Sequence, residues 1–287
     1  MCSVALINEC YEEAERLVLE AGKLIIAVFD TEKSVEQKDD DGVDLVTEYD
    51  RKIEEMLVKN LTRKFPDHRF IGEEETAKSN ILPEYTDAPT WIIDPIDGTT
   101  NFVHCFPNIG ICVAFSVNKI IEFGIIYNPV TKQMFTGRRG QGSWLNGKRL
   151  KTSTRRDLSK CLVGMEPWIA RDKNYRPSVY RRTDAVIQNT RGLRVLGTTA
   201  LMLCYIAMGA IEAYHVESVY AWDVAAAKVI LEEAGGVIID TSGGELDLLQ
   251  PKVIAACNRS IADQLVQLFK DASSESGDST MEALINS

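Results

Sequence analysis

The chain has 287 residues, 45% of them hydrophobic and 26% charged, enough apolar material for a sizeable core in one large domain or two abutting halves. A formal charge of -10, with no Lys/Arg concentration on the scale of a nucleic-acid footprint, excludes the electrostatics of an ordinary nucleic-acid partner. No apolar stretch is long enough for a membrane span, and the run from Met1 to Ile7 lacks a basic flank and meets Glu9 and Glu12 too soon for a secretory signal. Seven cysteines, odd in number and without a CxxC pair, suit reduced thiols in a cytoplasmic protein better than a disulfide framework or a zinc site.

In chain order, Leu17, Ala21, Leu24, Ile25 and Val28 share one face of a helix predicted over 8–29, with Glu12, Glu13, Glu20 and Lys23 mostly opposite. Asp39, Asp40, Asp41 and Gly42 read as a turn or mobile loop. Thr47 and Asp50 then form a capping pair for a helix that carries Ile53, Met56, Leu57 and Leu61 and is closed by Pro66. A short strand from Arg69 to Gly72 leads into Glu73. Trp91, Ile92 and Ile93 form a buried strand ending at Asp94, where Pro95, lacking an N–H, stops the ladder, and Gly98 and Thr99 open a helix. Runs 109–117, 120–127 and 133–136 predict an antiparallel meander, and Asn146-Gly147 a two-residue hairpin turn. From about Asp157 strands 162–163, 194–196 and 211–215 alternate with helices 178–188 and 199–208. A helix over 223–234 ends at Gly235-Gly236, followed by strands 237–240 and 253–256 and a helix over 261–269. The stretch from Ser273 to Ser279 has too little apolar content to fold. The expected division is an N-terminal α+β half over 1–156, a C-terminal α/β half over 157–270 and a disordered tail over 271–287. Periodicity alone supports only mixed α and β in two halves.

Chemistry concentrates in residues 91–102. Asp-Pro and Asp-Gly after a strand also make ordinary turns, yet such a turn has no need of Trp-Ile-Ile before the acids or Gly-Thr-Thr-Asn after them. Asp94 and Asp97 supply the hard oxygens Mg²⁺ prefers, and Gly98 and Thr99 place N–H groups at a helix N-terminus, where a phosphate oxyanion is favoured. The order Asp94-Pro95-Ile96-Asp97-Gly98-Thr99-Thr100-Asn101 resembles the first signature of the inositol monophosphatase family of Mg²⁺-dependent phosphatases. Trp222-Asp223-Val224-Ala225-Ala226-Ala227-Lys228, followed by Glu232-Glu233-Ala234-Gly235-Gly236, resembles its second, and Gly72-Glu73-Glu74 stands upstream of both. The resemblance extends to about Phe269.

That resemblance implies a mixed α/β fold, a layered αβαβα sandwich of the inositol monophosphatase and sugar phosphatase type. It implies Mg²⁺-dependent hydrolysis of a phosphate monoester, myo-inositol 1-phosphate first among them, by direct attack of an activated water. Glu73, Asp94 and the Ile96 carbonyl are then ligands of one Mg²⁺, and Asp94, Asp97 and Asp223 of a second; a third near Glu73 is left open. Without divalent charge such a cluster would repel itself and raise its pKa values. Thr99, bonded to Asp50, resembles the family's water-activating pair, with Asp50 as general base and Glu73 positioning the water. Gly98, Thr99 and Thr100 hold the phosphate, and Asp97, Gly197, Thr198, Thr199, Glu217 and Asp223 face the substrate. A small phosphorylated polyol, a homodimer and Li⁺ inhibition follow from the family, with no nucleic-acid or membrane partner.

Asp50 also reads as a first-turn helix acid, and Asp223 as a simple cap. Glu74 and Glu75 read as solvated neighbours of Glu73. Lys38 sits where the family has a lysine near the reacting water, but an extra residue among Asp39 to Asp41 disturbs the spacing. The glutamate expected seven positions before Asp223 is Val216, with Glu217 one residue later, and Ala221 stands where relatives often have cysteine. Losing that glutamate would relax alcohol selectivity while leaving hydrolysis intact. His68, His104 and His215 form no ligand set; His104 is expected to be a hydrogen-bonded structural residue, and Trp144 and Trp168 to be packing residues. Related sugar-phosphate or nucleotide-bisphosphate hydrolysis and a non-catalytic binding module stay open. An aspartyl-phosphate mechanism needs acids two apart after the strand, whereas Asp94 and Asp97 are three apart.

Overall fold

The computed structural model describes residues 3–37, 45–79, 81 and 83–274. The Asp39–Gly42 loop and Lys38 therefore lie outside the described residues, as does the tail from 275 onward. Ser3 caps α1 (Val4–Val28), whose apolar stripe of Ala14, Leu17, Val18, Ala21 and Ile25 is buried. A small hairpin of β1 (Val35–Gln37) and β2 (Leu45–Thr47) leads into α2 (Glu48–Lys64), opened by the expected Thr47/Asp50 capping box.

β3 (Arg69–Gly72) and α3 (Glu73–Ser79) precede the central β4 (Thr90–Asp97) and the five-residue α4 (Thr99–Val103). Next comes a meander: β5 (Gly110–Val117), β6 (Ile120–Asn128), β7 (Gln133–Arg138), β8 (Gly142–Leu145) and β9 (Lys148–Arg149). β3 to β9 form one seven-stranded sheet in sequence order, parallel only between β3 and β4. Asn146 and Gly147, both at positive φ, make the tight turn between β8 and β9.

The C-terminal part contributes β10 (Leu162–Met165), α5 (Arg176–Asn189), β11 (Gly192–Arg194), α6 (Thr199–Ala207), β12 (Ala213–Val216), α7 (Ala221–Glu233), β13 (Val237–Asp240), β14 (Val253–Ala256) and α8 (Arg259–Ser274). These strands form a five-stranded sheet ordered β11-β10-β12-β14-β13. α1 and α2 pack on the outer face of the large sheet, α6 and α7 lie between the sheets, and α5 and α8 cover the far side. The result is the αβαβα sandwich.

Three expectations are corrected. Pro95 does not end the strand, because β4 continues to Asp97 through a register shift: Asp94 faces Cys112 and Asp97 faces Gly110. β11 ends at Arg194, because the amides of Leu196 and Gly197 turn instead to the Glu166 carboxylate. α8 runs on to Ser274, beyond the expected boundary at 271, with Ala272 still buried against the core.

Candidate active site

Side-chain alternation along β4 sets up the site. Trp91 and Ile93 enter the core beneath α1 and α2, while Ile92 enters the core shared with α6 and α7, so Asp94 shares the face of Ile92. On a regular strand two acids three residues apart would face opposite ways. The shift at Pro95 sets three steps on β4 against two on β5, turns Ile96 toward the α1/α2 core, and returns Asp97 to the face of Asp94. Asp223 arrives from the first turn of α7, its Oδ2 accepting the Tyr220 amide at 2.6 Å. Asp94, Asp97 and Asp223 each offer an oxygen within 4.8 Å of the others.

Asp94 is 1% and Asp97 7% exposed. Burial, reinforced by the charges of Glu73, Asp97 and Asp223, pushes the Asp94 carboxyl well above the usual carboxylate range. Burial likewise lifts Asp97 to about 6, against the lowering effect of bonds from Thr198, Ala200 and Thr199. Oxygen donors held together at this cost in repulsion suit a hard divalent cation, whose charge would offset it.

Glu73 opens α3 and is close enough to Asp94 to hydrogen-bond it and raise its pKa. Its placement depends on Glu54, a residue the sequence reading missed. From the buried face of α2, Glu54 accepts the amides of Glu74 at 2.9 Å and Glu75 at 2.8 Å, capping α3 with both carboxylate oxygens. A Cβ at Gly72 would fall 2.8 Å from that carboxylate, so a side chain there would displace Glu54 from the α3 amides. Glu74, expected in solvent, is buried, 4.0 Å from Arg51.

Asp50 combines its two readings. Oδ2 takes the Thr47 amide at 2.8 Å in the helix cap, and Oδ1 takes the Thr99 hydroxyl at 3.2 Å. The same hydroxyl lies 3.1 Å from the Ile96 carbonyl. Gly98, at φ 88°, caps α4, and the first-turn amides there have no acceptor inside the helix. A Cβ at Gly98 would meet the carbonyl oxygens of Asn108 at 3.0 Å and Gly197 at 3.1 Å. Thr100 is exposed beside it, and Asn101 Nδ2 donates to the carbonyls of Asn108 and Leu196, both at 2.8 Å. Thr198 caps α6, donates its hydroxyl to Asp97, and the Ala200 amide reaches the same carboxylate at 2.8 Å. The Thr199 hydroxyl pairs with the Tyr214 phenol at 3.2 Å, and of residues 197–199 only Gly197 is exposed.

The inositol monophosphatase family model matches residues 7–274. The chain belongs to the inositol monophosphatase family. It is 44% identical to inositol monophosphatase 2 of Rattus norvegicus over 264 residues, 92% of this chain and 90% of that protein. It is 41% identical to inositol monophosphatase 1 of Homo sapiens, over 91% of this chain and 94% of that one. Among solved structures, an IMPase of Thermotoga maritima superposes with a TM-score of 0.82 at 29% identity, covering 94% of this chain and all of that one. An inositol monophosphatase from Anabaena gives 0.79 at 27% identity, over 92% and 96% of the two chains.

In this inositol monophosphatase family member the alcohol side departs from expectation more than the acid cluster does. Val216 is buried in β12. Glu217 is half-buried and its Oε1 accepts from Arg182 Nη1 at 2.9 Å. The same guanidinium stands 3.3 Å from His215 Nε2, and His215 Nδ1 lies 3.2 Å from the Val253 carbonyl. Arginine only donates and a carbonyl only accepts, so the ring is neutral with its proton on Nδ1. Burial, then the Arg182 charge, hold its pKa down at about 4. Ala221 is buried at the start of α7. His104, expected to be a bonded structural residue, is exposed at the C-cap of α4. Trp144 is half-buried near Arg149, whereas Trp168 is 44% exposed and lines a surface cleft with Glu166. Glu166 is the second residue the sequence reading passed over; it sits in an ordinary Met-Glu-Pro context that carries no motif.

Proposed function

We propose that the chain hydrolyses a phosphate monoester with Mg²⁺, myo-inositol 1-phosphate to inositol and inorganic phosphate. The observation that carries this reading is the convergence of Asp94, Asp97 and Asp223, from two distant segments, beside the Asp50–Thr99 pair. Asp94, Asp97 and Asp223, with Glu73 and the Ile96 carbonyl, would hold two Mg²⁺; a third, near Glu73, belongs to the family resemblance alone. Bound Mg²⁺ supplies Lewis acidity toward phosphate oxygens and lowers the pKa of water.

The Thr99 hydroxyl, donating to Asp50 Oδ1, keeps a lone pair for the proton of an attacking water, which makes Asp50 the general base at the end of a two-step relay. Glu73, fixed through Glu54, orients that water. The amides of Gly98 and Thr99, with Thr100 beside them, face the charge that grows on the phosphate oxygens. On the alcohol side, Gly197 is the exposed residue of the 197–199 segment, Thr198 and Thr199 act from behind it through Asp97 and Tyr214, and Glu217 is drawn to Arg182. With Val216 in place of the expected glutamate, the alcohol preference is broader than inositol alone and extends to other sugar or nucleotide phosphates.

Family membership further supports a homodimer and Li⁺ inhibition; the division at 156/157, with the metal and phosphate loop in the first half and Asp223 in the second, rests on the change of pattern near Asp157. Among the described residues no helix is long and apolar enough to cross a membrane, and six cysteines are free thiols; a cytoplasmic location is part of the proposal. The test is release of phosphate from inositol 1-phosphate by wild type and Asp94→Asn in Mg²⁺. Loss of roughly 1,000-fold in kcat is expected when this shared ligand is removed. Equal rates would end the metal mechanism, and no release from any phosphate ester would favour the binding module.

A further inference from the structure

A cleft of about 460 Å³ has walls that include Glu166, Trp168, Arg171, Arg176, Tyr180 and Val195. This is within the range of small-molecule sites. It adjoins the loop that leads to the acids: Val195 forms its wall, and three residues later Thr198 donates to Asp97. Three residues span at most about 10 Å of chain, so the Val195 wall of the cleft lies within that distance of the residue that binds Asp97.

Glu166 joins the two. Its Oε1 accepts the amides of Leu196 at 3.2 Å and Gly197 at 3.0 Å, while Oε2 has no hydrogen bond among the described residues. The carboxylate is also near enough to Asp97 to feel its charge and to raise the pKa of Tyr214. One oxygen thus anchors it to the loop that runs on to Thr198, and the half-buried side chain lines the cleft. Glu217, the carboxylate expected at the alcohol, is by contrast ion-paired with Arg182.

We infer that Glu166 determines alcohol specificity, its Oε2 accepting a ring hydroxyl of the substrate and replacing the glutamate that Val216 displaces. This assignment rests on the phosphatase reading above. The cleft supplies the complementary groups: Arg176, oriented by its Nε bond to the Ala170 carbonyl at 2.8 Å and its Nη2 bond to the Arg171 carbonyl at 3.2 Å, keeps Nη1 to donate to neighbouring hydroxyls, and Trp168 and Tyr180 line the cleft with aromatic rings. The ligand class is therefore a polyhydroxylated ring carrying one phosphate.

The test is Glu166→Gln, whose amide oxygen still accepts from Leu196 and Gly197 while its NH₂ group replaces the open acceptor. Steady-state constants are measured in Mg²⁺ on inositol 1-phosphate and on 4-nitrophenyl phosphate, which has the ester but no ring hydroxyls. KM for the inositol ester should rise about 10- to 100-fold, the effect of losing a hydrogen bond to a charged group. The nitrophenyl constants should stay within about twofold. Should the Gln variant not fold, Glu166→Asp, which retracts the carboxylate by one methylene, should raise KM for the inositol ester alone. Equal change on both esters would mean that Glu166 only supports the loop, and an unchanged KM for inositol 1-phosphate would remove it from the site; either overturns the assignment. Wild-type protein inactive on both esters would instead fail at the phosphatase reading itself and take the assignment with it.

Discussion

At the scale of single residues, Asp50 has to be judged by which of its oxygens is used. Oδ2 belongs to the cap of α2 and Oδ1 to Thr99, so folding fixes the base and the base has no freedom to drift. An Asn side chain can keep the cap through its carbonyl oxygen, but its NH₂ group cannot receive a proton from Thr99. Asp50→Asn is therefore expected to lower kcat by about 10²- to 10⁴-fold, the usual contribution of a general base. Its melting temperature should stay close to wild type. Asp50→Ala removes the cap as well and should lose about 1 kcal/mol of stability on top of the same kinetic defect. Parallel melting curves and kcat values on inositol 1-phosphate separate the two tasks; wild-type kcat in the Asn variant would take Asp50 out of the chemistry.

Among the elements, α7 decides whether the acids meet. It crosses the inner face of the large sheet so closely that a Cβ at Gly124 would lie 2.3 Å from the Ala226 carbonyl oxygen, and one at Gly137 2.7 Å from the Ile230 Cα. The α7 backbone at Ala226 and Ile230 is thus the helix half of a close approach whose sheet half is two glycines, and it holds Asp223 at the right depth. Gly124→Ala should push α7 outward, costing roughly 1–3 kcal/mol as overpacking does, and should raise the Mg²⁺ concentration needed for half-maximal activity; an unchanged Mg²⁺ requirement in a folded variant would mean that Asp223 is placed by other contacts. Most elements were legible because their signals are local: the capping box at Thr47, the meander's alternation, the hairpin at Asn146-Gly147, the glycines after α7. Pro95 misled because a lost N–H can end a strand or be absorbed in a bulge, and only the partner strand decides which. Glu54 and Glu166 left no trace because each caps backbone amides far along the chain, a relation with no fixed spacing. The metal acids were visible through family signatures, whereas nothing local in Asp223 shows that it reaches Asp94.

For the whole molecule, the site is a seam of like charge inside the sandwich. β4 brings Asp94 and Asp97, α6 binds Asp97 at its N-terminus, and α7 adds Asp223, so repulsion among the acids works directly against the packing of the middle helical layer on the large sheet. A cation that binds this arrangement and not the unfolded chain stabilises it by mass action, about 2.7 kcal/mol at one hundred times its dissociation constant. For a chain of this size that corresponds to a rise in melting temperature of roughly 4–5 °C. Wild type should therefore melt higher in Mg²⁺ than in a chelator. Asp94→Asn removes one charge from the most strongly perturbed position and one shared ligand together, so it should melt at or above wild type in the chelator and gain little from Mg²⁺. The order of the two proteins then reverses with the ion. Scanning calorimetry on both, with and without Mg²⁺, checks this: a wild-type melting temperature indifferent to saturating Mg²⁺, or an equal gain in the Asn variant, would show that the acids are held together by the fold without an ion to join them.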